Sequence, residues 1–419
     1  MPSYPKNYPF YNWMPKPLGI IILLFFFLPI LTVGGVYSVN STEMMSGLGI
    51  ISEHIQFANF VTSIGMAAFA PFLYQLVCVR REKMMCIVGF AFMYIFSYIC
   101  AKTDSVFLLA LCSLLTGFLR MVLMMVNLFT LIWYAGGMEA TRNITPGLEP
   151  KDTAGWNKLD IERCVSQPAV YLFFMILGQS GTALTAWLSF EYEWKYVYYF
   201  MMGILLISIL LLFITMPNYK FPGRFPINFR KFGNVTAFCI SLTCLTYVLV
   251  YGKVLDWYDD ESIRWATAVS ILFAGIFLYM DVTRRSPYVL LDAFKLRTIR
   301  MGALLYLLLM VINSSAMFVN VFAGVGMHID NLQNAALGNW CMVGYAIGAV
   351  LAMALGSKGL HFKYLFAMGF FFLSLSAVFM YFEVQTAGVY ERLKYAVIIR
   401  ATGMMILYAL TAAYANQRM

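Results

Sequence analysis

The sequence predicts an all-α polytopic membrane protein of about 12 transmembrane helices, and three observations carry that prediction. Of 419 residues, 61% are apolar and only 12% charged, where soluble domains run near a quarter charged. The apolar residues come in blocks of the ~20 residues that cross a bilayer as a helix. Trp13, Trp133, Trp187, Trp194, Trp257 and Trp265 fall near block ends, as an interfacial aromatic belt requires. This composition excludes a soluble enzyme or a nucleic-acid binder, despite the formal net charge of +9.

Taken in order, the first block, 17–37, follows Lys6 and Lys16. It is too long for a cleaved signal and has no A-x-A site after it, so it reads as a span with the N-terminus in the cytoplasm. The second, 56–78, is opened by Glu53-His54, readable either as a titrating pair or as a solvated interfacial one. Arg80, Arg81 and Lys83 precede the third, 84–101. The fourth, 106–132, contains Arg120 and is followed by the longest loop, 133–165. That loop holds Gly136, Gly137, Pro146, Gly147 and Pro150 and reads as a solvated connector with a short surface helix around Trp156–Cys164. Blocks 166–189 and 196–216 complete a six-helix unit over 1–216. The basic, proline-rich stretch 217–231 then reads as a linker, and 217–300 as linker plus two further helices at 233–252 and 264–281. Blocks 301–323, 334–355, 364–382 and 393–415 form a C-terminal bundle over 301–419.

Charge placement supports this count. With alternating sides, Lys102, Lys195, Lys253, Arg264, Arg392 and Lys394 fall outside, Arg120 and Arg400 lie within spans, and the remaining 21 of the 29 basic residues fall on the cytoplasmic side. A missed span would invert every later loop and erase that bias, so the asymmetry orients the chain in a cell (inner) membrane. The eight cysteines show no CxxC, and three dispersed histidines, His54, His328 and His361, make no metal site, so no cofactor is expected.

No phosphate loop, G-x-S-x-G, H-E-x-x-H or paired intramembrane carboxylates occur, so functional candidates are the polar residues inside apolar helices. Arg120 lies mid-span, where it could bind an anionic group, pair transiently in a proton cycle, or hold a fixed hydrogen bond to a carbonyl or to Asn127. Arg400 sits nearer the outer end of the last span. Gln179, Asn313 and Asn320 are further cavity candidates, the two asparagines sharing a face of the ninth span at i, i+7. Gly178 and Gly181 read as helix-packing or gating positions, and Arg80, Arg81 and Lys83 as a cytoplasmic motif loop.

Several stretches resemble the major facilitator superfamily, and within it the fourteen-helix drug:proton antiporter branch. Gly178–Gly181 followed by Glu193-Trp194-Lys195-Tyr196-Val197-Tyr198-Tyr199-Phe200 resembles that branch's Gly-rich fifth helix and its Trp-Arg-Trp-x-Phe start of the sixth. Tyr251-Gly252 through Asp256-Trp257-Tyr258 is similar to its Gly…Asp-Trp-Phe loop between two extra central helices, and Arg400-Ala-Thr-Gly403-Met to its Arg-Gly-x-Gly-Met segment. Departures accompany the likeness. The cytoplasmic loop Leu73–Lys83 lacks the family's Gly and Asp, Gly356-Ser-Lys358-Gly359 keeps part of the second-half counterpart, and Arg120 lies two turns from where the family's fourth-helix arginine falls. The Pro of the antiporter motif and the first-helix Asp have no match.

The resemblance implies a major facilitator fold of six helices, two extra and four of an expected six, apparently lacking the last two. It implies a secondary transporter of small organic molecules, an exporter of drugs or metabolites with protons as the coupling ion, whose partners are a small-molecule substrate and the bilayer. The rival reading is a truncated or degenerate non-transporting protein of the same fold.

Overall fold

The computed structural model describes residues 8–32, 44–45, 47, 49–72, 81–103, 105–144, 158–218, 230–283, 288, 294–358, 360–385 and 389–415, and among these it is helical with no strand. The first eight helices are α1 (Lys16–Thr32), α2 (Ser52–Ala68), α3 (Glu82–Lys102), α4 (Val106–Ile144), α5 (Lys158–Glu191), α6 (Trp194–Thr215), α7 (Arg230–Tyr251) and α8 (Glu261–Thr283). They are followed by α9 (Arg297–Ser314), α10 (Ala316–Val321), α11 (Asn331–Asn339), α12 (Cys341–Ser357), α13 (Phe362–Gln385) and α14 (Tyr390–Ala415). Each of the expected spans overlaps helix among the described residues; 33–37 of the first and 73–78 of the second lie outside them. Ten helical stretches among the described residues are long and apolar enough to cross a membrane, and α1 is a shorter apolar helix beside them. The chain is a multi-pass α-helical membrane protein.

Two expectations about breaks need correction. The loop expected at 133–165 is helical at both ends: α4 continues to Ile144, and α5 starts at Lys158 and runs unbroken into the fifth span. The surface helix expected around Trp156–Cys164 is therefore the first turns of α5. Conversely, the ninth span is interrupted. α9 stops at Ser314, α10 follows after Ser315, and a π-helical turn occupies Phe322–Gly326. The hydroxyls of Ser314 and Ser315 donate to the carbonyls of Val311 and Ile312, each at 2.6 Å, which competes with the helix ladder at the break.

Contacts divide the chain into two compact units: residues 1–135 with 185–290, and residues 136–184 with 291–419. In the first, α3 packs on α6, α7 on α8 and α2 on α7, around a core of Leu23, Phe26, Ile30, Phe69, Phe72, Phe90, Met93, Leu123 and Leu205. Helices α2 and α4 approach closely because each offers a glycine where the other presents backbone. A Cβ on Gly65 would collide with the Leu114 carbonyl, and one on Gly117 with the Thr62 carbonyl. Lys83 folds onto the end of α6, donating to the carbonyls of Met216 at 2.7 Å and Phe213 at 3.1 Å and lying over the Phe213 ring. A cation there satisfies carbonyls the helix leaves unpaired and complements its dipole. Of its companions in the expected motif loop, Arg81 is exposed and Arg80 lies outside the described residues.

In the second unit, α14 is the central helix. α9, α11, α12 and α13 pack against it, and most of its residues from Ala401 to Thr411 are buried. Its contact with α12 again uses small residues: Gly344 and Gly348 face the Ile398 and Thr402 carbonyls, and the Thr402 hydroxyl donates to the Gly344 carbonyl at 3.2 Å. At the end of α13, buried Glu383 faces Arg392 at 4.0 Å.

Candidate functional site

Charge is scarcest inside the apolar helices, so the two intramembrane arginines define the candidate sites, one in each unit. In the first, the 3.6-residue period of α4 places Ser113, Gly117, Arg120 and Asn127 along one side. Ser113 and Asn127 are buried and Arg120 is half-buried. Arg120 donates from Nη2 to the Leu31 carbonyl of α1 at 3.3 Å, and its Nε meets no acceptor among the described residues. Asn127 does not serve it: the Asn127 Oδ1 accepts from the Cys86 thiol at 3.9 Å, and its Nδ2 also lacks an acceptor among the described residues. No described carboxylate forms an ion pair with Arg120. The structure thus presents two buried N–H donors, two turns apart on one helix face, with donor capacity unfilled among the described residues.

In the second unit, Arg400 of α14 donates from Nη2 to the Asn313 carbonyl at 2.7 Å and the Ile312 carbonyl at 3.3 Å. Both carbonyls lie at the C-terminal end of α9, where the Ile312 carbonyl also accepts from the Ser315 amide at 3.1 Å and the Ser315 hydroxyl at 2.6 Å. Asn313 therefore contributes through its backbone, while its side chain is exposed. Asn320 behaves likewise: it is exposed, and its carbonyl accepts from the Asn334 Nδ2 at 3.2 Å. Cys341, Tyr345 and Tyr408 lie within electrostatic range of the Arg400 head group, and the Tyr306 ring meets that of Tyr408 edge-on at 5.9 Å. Gln179 of α5 donates to the Asn339 Oδ1 at 3.2 Å, so it belongs to this unit through α11. Gly181 is buried in α5, and Gly178 would carry a Cβ with nothing within 4 Å.

Sequence reasoning missed the tyrosines. Each reads alone as an aromatic in an apolar helix. The usable signal is the four-residue spacing of Cys341 and Tyr345, which puts both on one face of α12. It also missed Tyr288, between the expected eighth and ninth spans, which donates its amide to the buried Asp281 carboxylate and its hydroxyl to the Ala67 carbonyl at 2.8 Å.

Compared with known proteins, the chain matches no family model and no curated protein. Solved structures do match. A mutant of the peptide transporter POT in complex with sulfate aligns at TM-score 0.54 and 14% identity, over 97% of this chain and 88% of that one. A POT family transporter in complex with a thioalcohol-conjugated peptide aligns at TM-score 0.54 and 13% identity, over 97% of this chain and 90% of that one. A major facilitator superfamily proton:xylose symporter aligns at 0.48 and 14% identity, over 97% and 86%. The fold rests on the first two and is the major facilitator fold expected from the sequence motifs.

Proposed function

We propose that this chain, which has the fold of major facilitator carriers, is a secondary transporter of small organic molecules that recognises an anionic group of its substrate through Arg120. The fold supports transport as the activity, since POT proteins of the same fold carry peptides. The observation that carries the assignment is the state of Arg120: a guanidinium among apolar helices, tied to a single carbonyl, with a further N–H unfilled and no described carboxylate paired with it. An intramembrane charge is expensive enough that an uncompensated one marks a binding or coupling site, and a planar guanidinium suits carboxylate and phosphate groups. Arg400, held by two carbonyls at a helix break, is the corresponding candidate of the second unit, to which Gln179 also belongs. Interrupted helices of this kind expose backbone polar groups where carriers bind solutes. Export and proton coupling follow the resemblance to drug:proton antiporters and complete the proposal.

Flux of a panel of small carboxylates and their neutral amides into proteoliposomes, with an internal pH dye, tests it. Arg120→Ala is expected to lower carboxylate flux about 10- to 100-fold, the equivalent of the ~1.5–3 kcal/mol of one hydrogen bond to a charged group. Unchanged flux would remove Arg120 from the mechanism, and flux without proton movement would remove antiport.

A further inference from the structure

The first unit contains a second site that Arg120 does not touch. A cavity of about 800 Å³ runs between α2, α4 and α7. Phe57 and Val61 of α2, Phe107 and Leu111 of α4, and Ile240 and Tyr247 of α7 line its walls. It extends along α7 from Phe232 to Tyr251, which at ~1.5 Å per residue is close to the ~30 Å of bilayer hydrocarbon. Its sides are apolar. Of the two wall threonines, Thr236 donates its hydroxyl to the Phe232 carbonyl of its own helix at 2.8 Å. At one end the Tyr251 hydroxyl and His54 Nδ1 share a hydrogen bond of 2.5 Å, and the Tyr247 hydroxyl donates to Ser262 at 3.4 Å.

We infer that this groove binds the acyl chain of a bilayer lipid, held lengthwise between α2, α4 and α7 with its polar end toward the His54–Tyr251 pair. Three arguments select that occupant. An apolar space this large is not filled by water, which needs two to four polar partners. A polar solute would find few donors along the walls: beside the engaged Thr236, one threonine hydroxyl, Thr243, and the thiols of Cys239 and Cys244. Finally, Phe107, Leu111 and Phe232 stand 79%, 43% and 44% exposed at its edges, so it opens sideways among bilayer-spanning helices, where lipid chains are the surrounding solvent.

The groove is concave, whereas Ile271 and Leu272 of α8 stand 68% and 61% exposed, and retention is the consequence that can be measured. The full chain would be reconstituted in phosphatidylcholine vesicles containing a phosphatidylcholine with a photoactivatable group in its acyl chain. It would then be extracted and washed in a mild detergent, irradiated, and mapped for adducts by mass spectrometry. Peptides covering 57–68, 107–118 and 235–247 are expected to keep about tenfold more adduct than the convex outer face of α8 at Ile271 and Leu272, a factor that corresponds to ~1.4 kcal/mol. Thr243→Phe, which puts a ring into the groove from α7, is expected to lower groove adducts by a similar factor while leaving those on α8 unchanged. Cys244→Phe serves if that variant does not fold. Equal labelling of groove and α8, groove labelling untouched by either filled variant, or groove residues found cross-linked to a second copy of the chain would overturn the inference.

Discussion

Arg400 donates one nitrogen to two carbonyls at the end of α9, so its loss removes two hydrogen bonds to a charged group that tie α14 to α9. Hydrogen bonds to a charged group contribute ~1.5–3 kcal/mol each, and the half-exposed setting places the expected loss for Arg400→Ala at about 2 kcal/mol. Thermal unfolding in detergent would show it, with Arg400→Lys intermediate, because an ammonium keeps the charge and a donor but is a more strongly hydrated group on a stem of different geometry. A wild-type melting temperature in Arg400→Ala would refute this anchoring role. Asp260 offers a case outside the membrane. Its carboxylate accepts the Ser262 amide at 2.7 Å and the Ser262 hydroxyl at 2.5 Å, capping α8, and these bonds hold its pKa below the ordinary aspartate range. A depressed folded-state pKa gives stability that is present above the unfolded-state pKa and is lost as pH falls through the folded one. Asp260→Ala should therefore melt earlier than wild type near neutral pH and converge with it in acid. A gap that persists below the aspartate range would show that the cap does not act through its charge. The Arg400 anchor was only half legible in the sequence: the charge was visible, whereas its acceptors, being backbone, carry no residue type that a sequence displays.

Among elements, the closest contacts are set by glycines, and their meaning depends on the partner helix. Gly117 faces the backbone of Thr62, which cannot retreat as a side-chain end could. Gly117→Val is expected to push α2 from α4 and to destabilise by about 1–3 kcal/mol, the usual result of overpacking. Gly178→Ala should act oppositely, since a Cβ there meets nothing within 4 Å and alanine is favoured over glycine inside a helix by roughly 0.5–1 kcal/mol. Paired denaturation curves would decide, and a destabilised Gly178→Ala would point to a packing partner for that face. Sequence alone directs attention to Gly178 and Gly181 because they stand in one short motif. Gly65 and Gly117 are isolated in separate helices, and only the crossing of α2 over α4 reveals them as a pair. Gly344 and Gly348 were legible at small-residue spacing but drew no special reading, as nothing in one dimension identifies α14 as their neighbour.

For the whole molecule, the spans were legible because the bilayer imposes one length and one polarity on every crossing segment. Segment interiors were not, since nothing in hydropathy distinguishes a continuous helix from one broken at Ser314–Ser315, nor assigns 136–184 to the same unit as 291–419. Orientation, by contrast, is a global quantity that charge alone argues, and it can be tested by parity. Between Lys253, in the loop after α7, and Lys358, at the end of α12, lie the spans formed by α8, by α9 with α10, and by α11 with α12. An odd number of crossings puts the two lysines on opposite sides of the membrane, and the excess of Lys and Arg in the alternate loops puts Lys358 in the cytoplasm. The described native cysteines are buried or half-buried, and replacing all eight by serine gives a silent background. A charged, membrane-impermeant maleimide applied to intact cells should then label Lys253→Cys and leave Lys358→Cys unlabelled until the cells are opened. The reverse pattern would keep the number of crossings and invert the orientation. Labelling of both positions in intact cells would mean that one of the three segments does not cross, and the α9–α10 span, interrupted at Ser315 and again by the π-helical turn, would be the first to suspect.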